Sequence, residues 1–325
     1  MRRLLPGMVL AILLAAGPAA AQDLGHRTVG TQGLSAGKQS GPGLYVTDQL
    51  VFYGAETARD RNGARIPIED LHIEALGNGL GLTFVYYLPE LATYLSATAA
   101  VPLAHASVSS SRPEVSIDRL GLGDVFLQPL RVGWRVDHLD VVSGYALYVP
   151  TGLFQLGEGM VSGGQYTHEW SLGIAAFADT ERRFFATAMA SYHLYEQKLG
   201  IDITRGDSVQ IQGGAGASLF GLVEIGAVGA ALWQVRDDRG SELPPALQGA
   251  RDRTFALGGE IGITLAAIDG RITARYSREL EARARAEGQI LSFQLSLAAW
   301  QPTAPATLDE GDERAPEAAE GAPSR

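Results

Sequence analysis

The strongest constraint in this 325-residue chain is the rhythm of its connections. From Leu44 to Trp300 about twelve amphipathic β-segments follow one another, and the links between them alternate long and short. With strand ends taken from the alternation, the links near Gly54–Gly79, Ala104–Leu120, Thr151–Gln165, Gln197–Gly206 and Arg236–Arg251 are long. Those near Pro89–Glu90, Val136–Asp137, Asp179–Glu181, Leu219–Gly221 and Ala267–Asp269 are tight turns. A two-sheet sandwich has no reason to gather every long loop at one end. A barrel spanning an outer membrane does, because its ends face different compartments. The expected fold is all-β: an antiparallel up-and-down transmembrane β-barrel of about twelve strands. Its long loops would be extracellular and its short turns periplasmic.

The segments carry the period of two that such a wall requires. Leu291, Phe293, Leu295 and Leu297 oppose Ser292, Gln294 and Ser296; Ile272, Ala274 and Tyr276 oppose Arg271, Thr273, Arg275, Ser277 and Glu279. In a membrane the aliphatic face meets lipid and the charges turn to the lumen, since a closed barrel alone leaves no unpaired edge in hydrocarbon. Aromatic residues gather at both ends. Tyr86, Tyr87, Trp134, Phe184, Phe185, Phe220 and Trp300 mark the short-turn end. Phe52, Tyr53, Tyr148, Trp170, Tyr192, Trp233 and Phe255 mark the long-loop end. Two girdles are expected of a membrane barrel. By strict alternation Trp300 falls one position off the apolar face.

The ends of the chain read differently. Arg2 and Arg3, the apolar run Leu4–Ala16 and the small residues before Gln22 have the layout of a cleaved secretory signal over residues 1–21. Its apolar core is shorter than the ~20 residues of a spanning helix. Residues 22–43 are glycine-rich, polar and aperiodic, which suits either a flexible lead-in or a plug for the barrel of residues 44–300. Residues 301–325 hold four prolines and six acids against two arginines, and such a tail buries too little apolar surface to order itself. Without Arg2 and Arg3 the chain has 24 basic and 36 acidic residues, a net charge of −12. That balance gives no footprint for nucleic acid. The absence of cysteine rules out disulfides, thiolate sites and a lipoprotein anchor.

Two stretches carry a family resemblance: Gly121-Leu122-Gly123-Asp124-Val125-Phe126-Leu127-Gln128-Pro129-Leu130-Arg131-Val132-Gly133-Trp134, and Gly144-Tyr145-Ala146-Leu147-Tyr148-Val149-Pro150-Thr151-Gly152. Together they resemble the signature hairpin of the "meta-pathway of phenol degradation" family of outer-membrane β-barrel transporters. Pro42–Val46 and Trp233–Asp238 are similar to flanking family patterns. The resemblance implies a channel for passive uptake of small hydrophobic compounds, aromatic ones included. It carries over no binding residues. The expected partners are outer-membrane lipid, the barrel-assembly machinery during biogenesis and a small hydrophobic solute.

Candidate functional residues are therefore those of the lumen. Arg131, Arg135, Glu169, Gln210, Gln212, Glu224, Glu260, Arg271, Arg275 and Glu279 are expected to point inward. Mixed signs at close quarters suit either a salt-bridged core that fills the barrel or a polar path for an uncharged solute. Val125 and Leu127 fall on the same inner face, and the alternation slips around Pro129, which cannot donate a ladder hydrogen bond. Val125, Leu127 and Pro129 thus form a candidate gate, open to a purely structural reading as a register device. No histidine pair has metal-ligand spacing, and Gly121-Leu122-Gly123 opens no helix, so neither metal nor cofactor is expected. Ser191 and His193 share a face without a catalytic motif. A channel is the leading reading. A structural or surface-interaction barrel with a closed lumen comes next, and an outer-membrane hydrolase last.

Overall fold

The computed structural model describes residues 29–152, 154 and 161–302; the expected signal, residues 22–28 and the tail from residue 303 lie outside them. The long strands β1 (Gly43–Arg59), β2 (His72–Leu88) and β3 (Thr93–Ser111) come first. Next are β4 (Glu114–Leu122), β5 (Val125–Val136), β6 (Leu139–Val149), β7 (Thr167–Phe177) and β8 (Phe184–Tyr195). The wall is completed by β9 (Ser208–Leu219), β10 (Val223–Gln234), β11 (Arg253–Leu265), β12 (Gly270–Arg283) and β13 (Arg285–Trp300). Neighbouring strands pair antiparallel, and β13 returns to β1 from Leu44↔Trp300 to Arg59↔Arg285. The barrel is closed.

β4 and β5 share one place in the wall. β4 pairs the upper part of β3, from Leu103 to Ser111, while β5 pairs its lower part, from Tyr94 to Ala100. Thirteen strands therefore fill twelve wall positions. The alternation misreads two connections at this end. The expected loop Ala104–Leu120 is a β3–β4 hairpin, and the expected loop Gly54–Gly79 shrinks to residues 60–71. Strands continue there beyond the apolar band, where both faces meet water and backbone pairing needs no apolar alternation.

The wall is apolar outside and polar inside, the reverse of a water-soluble fold. Leu80, Leu172 and Phe184 are more than half exposed on the outer surface, while Glu169, Gln210 and Glu279 are all but fully buried within. Tyr86, Trp134, Phe184 and Trp300 ring the short-turn end, and Phe52, Trp170, Trp233 and Phe255 the other. Tyr53, Tyr148 and Phe185 leave their expected girdles and are buried. Trp300 regains the outer surface through a register shift between Leu44 and Tyr45, which inserts one residue on β13 and reverses its parity.

A second bulge resolves the slip at Pro129. Against β6, Leu127 pairs with Leu147 and Leu130 with Tyr145, so Gln128 and Pro129 together oppose Ala146. The correction for Leu127 follows: it is exposed on the outer surface, and Phe126 takes the lumen side. Val125 is half-buried at the start of β5, below β4 in the wall, and Pro129 is exposed. Closure through β1 and β13 predicts that the folded protein migrates faster on a gel unboiled than boiled. A mobility indifferent to boiling would contradict the closed barrel.

Candidate functional site

Residues 29–41 run inside the barrel as a strap against β6–β12. Their apolar side chains fill niches left by small inner-face residues. Leu34 packs on Ala175, Phe177, Phe185 and Val228; Ala36 on Val142 and Met189; Val29 on Ala230 and Leu232. Two glycines make the close approach possible. At Gly37, with φ +77°, a Cβ would stand 2.2 Å from the Ile174 carbonyl oxygen. At Gly33, with φ +47°, it would strike the side chains of Glu260 and Arg275.

The expected lumen charges grip this strap. Glu260 pairs with Arg275 Nε at 2.7 Å and accepts the Leu34 N–H at 3.0 Å. The Arg275 guanidinium also donates to the carbonyls of Gly30 and Thr31. Glu224 joins Lys38 Nζ at 2.9 Å and Arg271 at 2.7 Å. Burial lowers the Lys38 pKa, and the Glu224 carboxylate opposes that shift in part. Arg131 donates to the Lys38 carbonyl at 2.9 Å, and Arg135 to that of Gln39. Gln212 accepts the Gln32 N–H. The strap's backbone, which would otherwise be stranded in a narrow lumen, is thereby satisfied.

Higher in the barrel the polar side groups pair with one another in part. Glu279 receives Tyr53 Oη, Thr254 Oγ1, Arg285 and the Gly288 N–H. Arg205 and Asp252 extend the network, with Arg285 beside Asp252. Glu169 accepts from Tyr148 Oη at 3.0 Å and meets His193 Nε2 at 3.2 Å. His168, its neighbour on β7, turns outward to Tyr145 and Glu196. Gln210 is buried on the same side. Ser191 Oγ and His193 Nδ1 have no hydrogen-bond partner among the described residues, so the two do not form a nucleophile–base pair.

The other side of the lumen is open. A cavity of about 470 Å³ lies between the strap and β1–β3. Its wall there is small and uncharged: Gly77, Gly79 and Gly81 on β2 face inward beside Ala100, Pro102 and Ala104 on β3. A Cβ at Gly77 or Gly79 would meet nothing within 4 Å, so these glycines leave space unfilled. Phe126 and Tyr148 close the far edge, with ring centroids 5.1 Å apart.

At that edge the wall itself is interrupted. β6 ends at Val149, paired with Val125, and β4 has a ladder partner only in β3 among the described residues. The two resemblance motifs meet here. Thr151 Oγ1 accepts the Val125 N–H and donates to the Gly123 carbonyl, standing in for a missing strand. The Asp124 carboxylate takes the N–H groups of Gly152 and Gly163 and the Ser162 hydroxyl, which ties the β6–β7 connection across the gap. Outside the break lie Leu103, Leu120 and Leu122, each about half exposed. Sequence reasoning quoted Asp124 and Thr151 within motifs without assigning them a role. The signal was a Gly-Asp pair at a strand start with Pro-Thr-Gly at the end of the next.

A family model described as "Putative MetA-pathway of phenol degradation" matches residues 55–295. Among solved structures, an outer-membrane channel from Pseudomonas putida F1 is similar with a TM-score of 0.67 at 14% identity, over 80% of this chain and 97% of that one. The translocator domain of the autotransporter NalP from Neisseria meningitidis gives a TM-score of 0.45 at 12% identity, over 89% and 96%. No curated protein sequence matches. The fold is that of the Pseudomonas channel.

Two outcomes follow from the geometry. Replacing Asp124 with Asn weakens hydrogen bonds worth about 1.5–3 kcal/mol each to a charged acceptor. Hydrogen exchange at the Gly163 amide should rise at least ~10-fold, with boiling-dependent mobility retained. Glu260→Gln should destabilise the barrel by ~3–5 kcal/mol, because Arg275 loses its buried counter-charge. Glu260→Leu combined with Arg275→Leu should recover part of that loss in a denaturant titration. Equal damage from the pair would place the effect elsewhere.

Proposed function

This chain belongs to the MetA-pathway family of phenol degradation, and we propose that it is an outer-membrane channel for passive uptake of small hydrophobic compounds, aromatic ones included. The observation that carries this reading is the cavity whose β1–β3 wall has no Asp, Glu, Lys or Arg, and its junction with the break at Gly123–Asp124. Its volume falls within the ~300–1,000 Å³ of small-molecule sites. A solute entering from the long-loop end would leave water against the Gly77–Gly79–Gly81 surface and the Phe126–Tyr148 rings. Apolar burial favours that step by roughly 25 cal/mol per Å². It would then leave sideways past Leu103 and Leu122 into lipid when the Asp124 tie loosens. No charged group needs to be dragged along, so no energy source is required. The similar outer-membrane channel from Pseudomonas putida F1 supports the location, and we assign both termini and the short turns to the periplasm. A hydrolase finds little support in a His193–Glu169 pair without a nucleophile on it.

Gly79→Leu tests the path, since the side chain would enter space that the barrel leaves empty. Uptake of a small aromatic compound by intact cells should fall at least ~5-fold while folding persists, and deletion of the whole protein should lower it further. Uptake unchanged by both would return the chain to the reading of a closed structural barrel.

A further inference from the structure

The outer surface carries a carboxylate where lipid is expected. Asp48 lies on β1 between Val46 and Leu50, on the face opposite Thr47 and Gln49, which line the cavity. Its partners across the ladders are Leu80 on β2 and Leu295 on β13. Asn78, between Leu76 and Leu80 on β2, donates its amide to Asp48 Oδ1 at 2.7 Å. Both girdles are out of reach: Leu44, paired with Trp300, and Phe52 stand four residues away along the strand, about 13 Å at 3.3 Å per residue. A side chain as short as aspartate cannot snorkel that far. The pair therefore sits in the apolar band.

Ionisable groups within a membrane are expensive and mark function. The bond between Asp48 and Asn78 uses one carboxylate oxygen and one of the two amide N–H groups, leaving an oxygen, an N–H and the amide carbonyl exposed on the outer face. That remainder is self-complementary. A second acid–amide pair turned by a two-fold axis presents an acceptor to each donor and a donor to each acceptor. The surroundings are apolar and prominent, with Leu80, Leu82 and Phe84 about half exposed beside the pair.

We propose that this β1–β2 face is a contact between two copies of the chain within the membrane, in which Asp48 and Asn78 hydrogen-bond with their counterparts. The contact is isologous, with the two-fold axis along the membrane normal. It rests on the chain being a membrane-spanning barrel and is independent of what the lumen carries. In the wall, β3 and β4 stand between this seam and the break beside β6.

The chain has no cysteine, which makes the test direct. Leu50→Cys, Leu80→Cys and Leu82→Cys are introduced singly, with Ile261→Cys on the outer face of β11 as the control. Intact outer membranes are oxidised with copper phenanthroline, which partitions into lipid. At least one β1–β2 variant should give a disulfide-linked dimer well above the control, and adding Asp48→Leu should reduce that dimer several-fold while boiling-dependent mobility is retained. Dimer yields no higher than the control would overturn the proposal. So would capture of a different protein, or a yield undiminished by Asp48→Leu. Loss of solute uptake bears on none of these readouts, so the two readings fail separately.

Discussion

In hydrocarbon a backbone N–H or carbonyl without a partner costs several kcal/mol, and this requirement organises the whole molecule. It forces β13 back onto β1 and sets the outer face to aliphatic residues. It also makes the interruption of the wall among the described residues informative. Where β6 ends beside Val125, the ladder is replaced by side chains rather than left open: Thr151 serves both a donor and an acceptor, and Asp124 holds three donors. A gap whose polar groups are met by side chains can open at the cost of a few hydrogen bonds. A strand pair would need its whole ladder broken. At the signature motif, capping chemistry takes the place of ladder pairing.

The same requirement explains the strap. Ten polar positions turned into a narrow barrel need partners, and mutual pairing along β5–β12 meets only part of that need. Residues 30–39 add backbone amides and carbonyls, while Leu34 and Ala36 take up the apolar niches. Charges and strap stabilise each other. Neither makes sense alone. A mutation on either side therefore leaves a buried group without its partner, which is costlier than the loss of an exposed salt bridge.

What the sequence disclosed follows the same logic. The alternation of apolar and polar residues reports contact with lipid, so it marked the spanning strands and the polar face expected to turn inward. It is silent where lipid is absent. β3 and β4 rise above the apolar band and were read as a loop, since Ser107–Ser111 alternate nothing. The strap has no period because it is held through its backbone and a few niche-filling side chains rather than through one regular face, so it reads like any polar, glycine-rich lead. Bulges erase parity locally. The slip at Pro129 was visible, but which side of it pointed inward was not, and Leu127 was assigned to the lumen in place of Phe126. Asp124 and Thr151 act across a gap of 27 residues in sequence, a pairing that no local pattern reveals.

The lumen is thus divided lengthwise rather than across. On the β6–β13 side, charges, strap and buried amides fill the space; on the β1–β3 side, glycine and alanine leave it empty. A hydrophobic solute in a uniformly polar pore would have to displace ordered water from charged walls at every step. In a uniformly apolar barrel it would have no reason to leave, and the barrel would have nothing to hold its interior in place. Segregating the two functions removes both difficulties. The polar half holds the interior in place, while the small-residue half leaves space that reaches the side-chain-capped break. The asymmetry follows from the inner-face choices of β2 and β3 alone. Glycine at 77, 79 and 81 is demanded by neither a left-handed backbone nor a tight contact, which leaves the empty space itself as the physical reason for those residues.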